Sequence, residues 1–181
     1  MSTSIYEVLG ELDGQATSKA DKGSKLERLM AQFLRTGPVY AEQFSDVWLW
    51  QDWPGREGKH DTGIDLVAVD RQTGGNVAIQ CKFFAPGHSI AKPDIDTFLS
   101  ASGKEGFTER IIVSTTEKWN AHAEHAIQGQ QIPVRRIGLA DLEEWGRGMI
   151  LIALPPDPLE GVGFTEDLHR IASRFTGQCF L

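Results

Sequence analysis

The sequence predicts an α/β sandwich in which helices flank a mixed central β-sheet. Two β-rich runs joined by Arg-Gln-Thr-Gly-Gly predict a hairpin, and segments of helical and strand character alternate after it. The order of helix, then strands, then alternating helix and strand is typical of this architecture. A chain of 181 residues with 40% hydrophobic content is long enough to bury one sizeable core.

The amino-terminal part of the chain predicts two helices. Apolar residues recur at helical spacing over Ile5–Leu12, and Ser4 with Glu7 fits a capping box at the start of this helix. The polar stretch 14–24 is predicted to be a loop. A second apolar stripe over Leu26–Leu34 predicts the second helix, which ends at the Gly-Pro pair that follows it.

The rest of the chain predicts the sheet and the helices that cover it. Val47–Trp50 is predicted as a strand, and Trp53–Asp61 as an exposed loop because it is rich in Gly, Pro and charged residues. The hairpin strands are Ile64–Asp70 and Asn76–Phe84. The later elements are a helix opening at Pro93, a strand over Arg110–Ser114, a helix over Ala121–Gln128, a strand over Val134–Ile137 and a short helix over Leu139–Trp145.

Composition limits the classes of function. We expect a soluble, cytoplasmic protein without a membrane partner, because no apolar run approaches the roughly 20 residues that cross a bilayer and no secretory signal is visible. Cys81 and Cys179 lack metal-ligand spacing and are interpreted as ordinary thiols. Residues 1–154 are expected to form one domain, and 155–181 a linker, a tail or the start of a neighbouring domain.

A net charge of -7 argues against tight binding of duplex DNA by this chain alone. Neutralisation of phosphates by Lys and Arg usually supplies most of the nonspecific affinity of a DNA-binding protein. Two considerations weaken this objection: sites for divalent cations are rich in carboxylates, and a partner domain could hold the DNA. Charge alone therefore does not exclude a nuclease.

Three polar residues lie at the centre of the predicted hairpin. If the turn is centred on Thr73 and Gly74, Asp65 lies opposite Lys82, and Gln80 shares their face. The other face then carries the apolar set Val77, Ile79, Cys81 and Phe83. The geometry of the hairpin leaves two interpretations open, a solvated cross-strand ion pair worth a few tenths to ~1 kcal/mol or a catalytic site.

The sequence around these residues resembles the Mrr-like branch of the PD-(D/E)xK nucleases. Asp61-Thr-Gly-Ile-Asp65 resembles the Asp-x-Gly-x-Asp opening of that family, and Gln80-Cys-Lys82 follows on the next strand. The resemblance implies a restriction-endonuclease-like fold and hydrolysis of DNA phosphodiester bonds. It also implies that Asp65 and Gln80 are metal ligands and that Lys82 is the catalytic lysine.

The resemblance extends over residues 22 to 146, to the amino-terminal nuclease domains of single-chain (type ISP) restriction-modification enzymes. It implies double-stranded DNA as the substrate, and fused or associated helicase-like translocase and methyltransferase domains as partners. The implied cofactor is Mg²⁺, with Mn²⁺ as a possible substitute, since hard cations prefer oxygen ligands. We expect Asp65, the side-chain oxygen of Gln80 and the main-chain carbonyl of Cys81 to hold the ion, while Lys82 orients or deprotonates the attacking water.

Glu27 has two interpretations. Ser24-Lys-Leu-Glu27 fits a capping box, which would explain the glutamate without catalysis. In Mrr-like nucleases an early helix contributes a glutamate from a segment similar to Gly23-Ser-Lys-Leu-Glu27, which implies that Glu27 binds a second ion or one of its waters. Asp61 is expected to be an outer partner of the site, through Lys59 or a water.

Other residues and other functions remain open from the sequence. Arg135, Arg136 and Lys59 are candidate phosphate contacts, whereas His122-x-x-His125 is interpreted as a solvated helix face because further ligands are missing nearby. Since a glutamine stands where an acid is usual, a catalytically inactive docking or DNA-binding module is the first alternative. A DNA-repair nuclease is the second, because it would share this chemistry.

Overall fold

The fold is built on a five-stranded mixed sheet. The computed structural model describes residues 4–58, 63–104 and 106–148. The strands are β1 (Phe44–Leu49), β2 (Leu66–Asp70), β3 (Asn76–Lys82), β4 (Ser89–Ile90), β5 (Phe107–Ser114), β6 (Lys118–Trp119) and β7 (Val134–Ile137). The main sheet has the order β1-β2-β3-β5-β7, and β4 pairs with β6 in a separate two-stranded sheet. Pairing is antiparallel from β1 to β3 and parallel from β3 to β7, which confirms the predicted mixed sheet.

Helices cover both faces of the sheet. They are α1 (Ile5–Gln15), α2 (Lys19–Thr36), α3 (Pro38–Gln43), α4 (Lys92–Ser102), α5 (Ala121–Ile127) and α6 (Leu139–Gly148). One apolar cluster joins α1, α2 and α6 to Leu66, Ile79 and Ile111 of the sheet, and a second joins α4 and α5 to Val67, Ala78 and Ile112. Alternation along the strands thus divides the core into two layers.

Local signals place most of these elements where the sequence predicts them. Ser4 Oγ accepts a hydrogen bond from the Glu7 amide, and the Glu7 carboxylate accepts one from the Ser4 amide. The predicted capping box is therefore present at the start of α1. Pro93 lies in the first turn of α4. Features that were not predicted are the short helix α3, the β4–β6 pair and two 3-10 helices, Trp50–Asp52 and Pro54–Arg56, the second of which lies in the predicted loop. The predicted linker and tail at 155–181 lie outside the described residues. Within the described ranges, no helix is both long and apolar enough to cross a membrane.

The predicted loop at 14–24 is wrong over most of its length. Helix α2 already begins at Lys19, with Ser18 as its N-cap: the Ser18 hydroxyl accepts a hydrogen bond from the Asp21 amide at 3.1 Å. The polar residues of the first turns face solvent or pair with each other, as Lys25 does with Asp21 at 2.8 Å. The sequence analysis therefore missed the first two turns of α2, because their residues are polar and form no apolar stripe.

The predicted register of the hairpin is wrong by two residues. Leu66 pairs with Ile79 and Val69 with Asn76, whereas the predicted turn would place Leu66 opposite Cys81. The turn is held by Asp70, whose carboxylate accepts hydrogen bonds from the Gln72 and Thr73 amides at 3.0 and 2.8 Å. These bonds hold the pKa of Asp70 below its usual value, the bond from the Thr73 amide most strongly. A shift of two residues preserves the face of each side chain along β3, so Val77, Ile79, Cys81 and Phe83 pack on one cluster as predicted, and Gln80 and Lys82 belong to the opposite face.

Arginine side chains occupy both edges of the sheet. Arg35 donates two hydrogen bonds to the Val47 carbonyl of β1, at 3.1 and 2.7 Å, and Arg71 donates one to the Phe44 carbonyl at 2.9 Å. On β7, Arg135 lies 3.1 Å from the Glu109 carboxylate and Arg136 pairs with Glu124. Both edge strands therefore carry cationic side chains that are fixed within the protein.

Replacing Ser18 with Ala is expected to lower the free energy of unfolding by about 0.5–2 kcal/mol, because α2 loses its N-cap. Ser24→Ala is the matched control: Ser24 is exposed inside the helix, so this change should leave stability unchanged or raise it by up to about 0.5 kcal/mol. Urea unfolding followed by circular dichroism measures both variants. A larger loss for Ser24→Ala than for Ser18→Ala would contradict a helix start at Lys19.

Candidate active site

The candidate site lies at the edge of the sheet where β2 begins and the other four main strands end. β3, β5 and β7 run in the same direction, and β1 joins them because it is antiparallel to β2, which is antiparallel to β3. Asp65 stands directly before β2, and Lys82 is the last residue of β3. The topology thus brings these two predicted residues to one edge, which is where open α/β sheets usually bind ligands.

Asp65 is held by hydrogen bonds to two neighbouring chain segments. Its amide donates to the Ile79 carbonyl at 2.9 Å, and its carbonyl accepts from the Trp50 amide at 2.8 Å. Its side-chain Oδ2 accepts a short hydrogen bond of 2.6 Å from the Cys81 amide. Asp65 therefore continues the sheet by one residue, with its carboxylate filling the place of a backbone acceptor for β3.

Gln80 is buried and has one amide atom without a partner. The side chain is 3% exposed, and its Nε2 donates to the Gly63 carbonyl at 3.0 Å. Its Oε1 has no hydrogen-bond partner among the described residues. A buried acceptor left unpaired costs about 1–3 kcal/mol, so it needs an explanation. A divalent cation, which prefers oxygen ligands, is a chemically fitting partner for this atom.

Gly63 supplies the backbone conformation on which the position of Gln80 depends. Its φ is 79°, in the left-handed region that glycine adopts without strain. A Cβ at this position would lie 3.2 Å from Cγ2 of Thr97 on α4. Two features therefore favour glycine in the Asp-x-Gly-x-Asp segment: its positive φ and the close approach of α4.

Glu27 and Asp65 line one cavity of about 350 Å³. Its walls come from α2, from the chain after β1 and from the approach to β2: Ser24, Glu27, Arg28, Leu49, Trp50, Gln51, Arg56, Ile64 and Asp65. Glu27 lies two turns into α2, so the interpretation of Glu27 as a helix cap with Ser24 is wrong. Gln80 and Lys82 are not among the residues that line this cavity.

The pKa of the Cys81 thiol depends on its burial and on the charged groups around it. Burial raises the pKa of this thiol well above its ordinary value, the Asp65 and Glu27 carboxylates raise it further, and the Lys82 ammonium lowers it. The thiol therefore stays neutral at physiological pH, which disfavours Cys81 as a thiolate ligand. The interpretation of Cys81 as an ordinary thiol therefore fits the structure, and the role of its main-chain carbonyl as a cation ligand stays a prediction.

Several residues proposed from the sequence lie elsewhere. Arg135 and Arg136 are engaged in the ion pairs of β7, and Arg136 also lies over the Trp119 ring at 4.2 Å, so both have partners within the protein, and their contact with phosphate stays a prediction. His122 and His125 are exposed on α5. In the described part of the chain, no group of three His, Cys, Asp or Glu side chains forms a metal site. Lys59 and Asp61 lie outside the described residues.

The sequence analysis missed two basic residues of the cavity. Arg28 and Arg56 bring guanidinium groups to the walls that also carry Glu27 and Asp65. The only local signal was the position of Arg28 directly after Glu27, while Arg56 comes from a loop whose path a sequence pattern does not define. A cavity with both carboxylates and guanidinium groups has the chemistry to hold a cation beside a phosphate.

The restriction endonuclease family model Mrr_cat_2 matches residues 35–147, which include Asp65, Gln80 and Lys82 but not Glu27. The chain is 30% identical to the ATP-dependent Type ISP restriction-modification enzyme LlaBIII, solved bound to DNA, over 75% of this chain and 8% of that one, with a TM-score of 0.61. No curated protein sequence matches the chain.

A second solved structure supports the architecture. The MspJI restriction endonuclease, solved in complex with a 27-mer oligonucleotide, is 17% identical over 96% of this chain and 34% of that one, with a TM-score of 0.54. This likeness confirms the predicted restriction-endonuclease-like fold. The chain spans about one twelfth of the length of LlaBIII and one third of that of MspJI.

Replacing Gln80 with Glu is expected to lower the free energy of unfolding by about 1–3 kcal/mol in EDTA, because the hydrogen bond to Gly63 is lost and a carboxylate is buried. Magnesium should reduce this deficit, since the new carboxylate is a stronger ligand. Urea unfolding with EDTA and with magnesium measures both terms. A variant as stable as the parent in EDTA would show that the Gly63 contact contributes little.

Proposed function

Because the chain belongs to the Mrr-type restriction endonuclease family, we propose that it is a magnesium-dependent DNA endonuclease that hydrolyses phosphodiester bonds, the nuclease module of a restriction-modification or related defence enzyme. The observation that carries the proposal is the presence of two oxygen acceptors on chain segments that meet near one edge of the sheet. The carboxylate of Asp65 is fixed against the Cys81 amide, and the residue before Cys81, Gln80, has a buried Oε1 with no partner among the described residues.

The residues present fit a magnesium ion. Asp65, Gln80 Oε1 and the Cys81 carbonyl would hold it, and Glu27, across the shared cavity from Asp65, would hold a second ion or a water of the first. The N–H and C=O of one strand residue point to the same side, so the Cys81 carbonyl faces the Asp65 side, as its amide does. When bound, the ion supplies Lewis-acid stabilisation of the phosphate and lowers the pKa of the attacking water.

Lys82 is proposed to act on the phosphate and the water. It lies two residues after Gln80 on the same face of β3. Its ammonium would orient the attacking water and stabilise the negative charge that develops on the pentavalent phosphate, a role suited to a compact point charge. If Lys82 deprotonates the water, it does so as the neutral amine, which takes up the proton and becomes the ammonium. Arg28 and Arg56 would add positive charge at the wall of the cavity and offset part of the repulsion between DNA and the carboxylates.

Double-stranded DNA is the proposed substrate, held mainly by further domains. The net charge of -7 leaves little electrostatic attraction for duplex DNA beyond the site itself. The similarity to a small part of the ATP-dependent Type ISP enzyme LlaBIII supports a translocase and a methyltransferase as fused or associated partners. These domains would supply the grip on DNA that the acidic chain lacks.

A catalytically inactive docking module is the second candidate. The hydrogen bond from Gln80 to Gly63 favours it, because this bond gives the glutamine a structural purpose without any metal. The partnerless Oε1 of the same side chain counts against it, since a purely structural amide would be expected to use both its ends.

Asp65→Asn and Lys82→Ala are expected to abolish plasmid cleavage in magnesium while the fold is kept. Asparagine retains an acceptor for the Cys81 amide and removes only the charge that binds the cation. Asp96→Asn is the matched control, because the Asp96 side chain is 44% exposed, forms an ion pair with Lys92 on α4 and is not among the residues that line the cavity. Gel analysis of cleavage and circular dichroism of each variant provide the measurement. Full cleavage by either folded site variant would refute the site assignment, and no cleavage by the parent, alone or fused to its native neighbours, would favour the docking module.

Glu27→Gln is expected to raise the magnesium concentration at half-maximal cleavage by roughly tenfold, because the cavity loses one of its two carboxylates. Glu42→Gln removes the same charge from an exposed position and should leave the magnesium dependence unchanged. The measurement is a magnesium titration of plasmid cleavage for the three proteins. Coincident titration curves for Glu27→Gln and the parent would exclude Glu27 from the metal site.

A further inference from the structure

The end of β3 has strand support on one side only. The ladder between β2 and β3 joins Leu66–Val69 to Asn76–Ile79 and stops before Lys82. The ladder between β3 and β5 continues to the pair Lys82 and Ser114. The main chain at Lys82 therefore depends on β5 and on the residues that follow it.

Thr115 is the residue that continues this support beyond the ladder. Its amide donates to the Lys82 carbonyl at 3.1 Å. Its Oγ1 accepts from the Phe84 amide at 2.8 Å and donates to the Phe84 carbonyl at 2.9 Å. The hydroxyl thus both accepts a hydrogen bond from Phe84 and donates one to it. Thr115 itself is 5% exposed. Three hydrogen bonds to one buried threonine enclose the segment from Lys82 to Phe84.

We infer that Thr115 is a positioning residue for the proposed catalytic lysine, and this inference rests on the proposed nuclease function. Lys82 is the last residue of its strand, so its backbone direction determines where the ammonium lies. The Thr115 amide holds the Lys82 carbonyl, and its hydroxyl holds the main chain at Phe84, two residues further on, so the direction of the chain at Lys82 is restrained from both positions. A displacement of about 1 Å at a catalytic group can cost a factor of about 100 in rate, so a clamp of this kind acts on the chemical step.

Thr116 provides a matched control. It is 4% exposed, and its Oγ1 donates to the His88 carbonyl at 2.6 Å and accepts from the Lys118 amide at 3.3 Å. It therefore makes the same kind of buried hydroxyl contact one residue further along, but to a segment six residues beyond Lys82. If the threonines only fix surface loops, the two hydroxyls should matter equally for cleavage.

The test compares Thr115→Val, Thr115→Ser and Thr116→Val with the parent in plasmid cleavage with magnesium. Valine replaces the hydroxyl by a methyl group of similar shape, and serine restores the hydroxyl. We expect Thr115→Val to lower kcat about 10- to 100-fold with little change in KM, and Thr115→Ser and Thr116→Val to stay within about threefold of the parent. DNA affinity measured in calcium should be the same for all four proteins.

Three results would overturn the inference: cleavage by Thr115→Val at the rate of the parent, an equal loss in Thr116→Val, or a loss confined to KM or DNA affinity. Circular dichroism and urea unfolding monitor the fold. If Thr115→Val does not fold, Thr115→Ala, which removes the same hydroxyl from a smaller side chain, takes its place; if that variant also fails to fold, Thr115 serves the fold and the inference is wrong. A parent that is inactive both alone and fused to its native neighbours refutes the proposed function itself, whereas an active parent with an equally active Thr115→Val refutes only the inference.

Discussion

The hydrogen bonds of Asp65 join three strands at the point where their regular ladder ends. Its amide binds Ile79, its carbonyl accepts from Trp50, and its carboxylate accepts from Cys81. The backbone bonds fix where β2 begins, and the side-chain bond fixes where one carboxylate oxygen lies. One residue therefore serves both the end of the sheet and the candidate site, and its position is fixed by the strands themselves.

The direction of β2 explains why the site forms at this edge. Because β2 runs against the other four main strands, its first residue, Leu66, pairs with the last residue of β1 and with Ile79, three residues before the end of β3. The cavity opens between the chain at this point and α2. Glu27 reaches the cavity from the helix layer, and Asp65 from the sheet. The two carboxylates therefore belong to different layers of the fold, and packing of α2 on the sheet determines their separation.

The sequence predicted the faces of the strands better than their register. Alternation has a period of two, so an error of two residues in the turn left Gln80 and Lys82 on the predicted face of β3 and changed only which residues of β2 lie opposite them. The start of α2 was predicted too late because its first turns are polar. The same error led to the interpretation of Glu27 as a helix cap. The contact between Gln80 and Gly63 depends on a positive φ and on the approach of α4, neither of which a sequence pattern specifies.

The arginines at the two borders of the sheet also bear on the behaviour of the protein in solution. An open β-sheet offers unpaired backbone groups to any extended strand, including a strand from another molecule of the same protein. Here Arg35 and Arg71 already occupy carbonyls of β1, and the ion-paired Arg135 and Arg136 place charge on the four-residue strand β7. A strand that approached either border would have to displace a guanidinium group from its acceptor or desolvate an ion pair, so the sheet resists edge-to-edge aggregation.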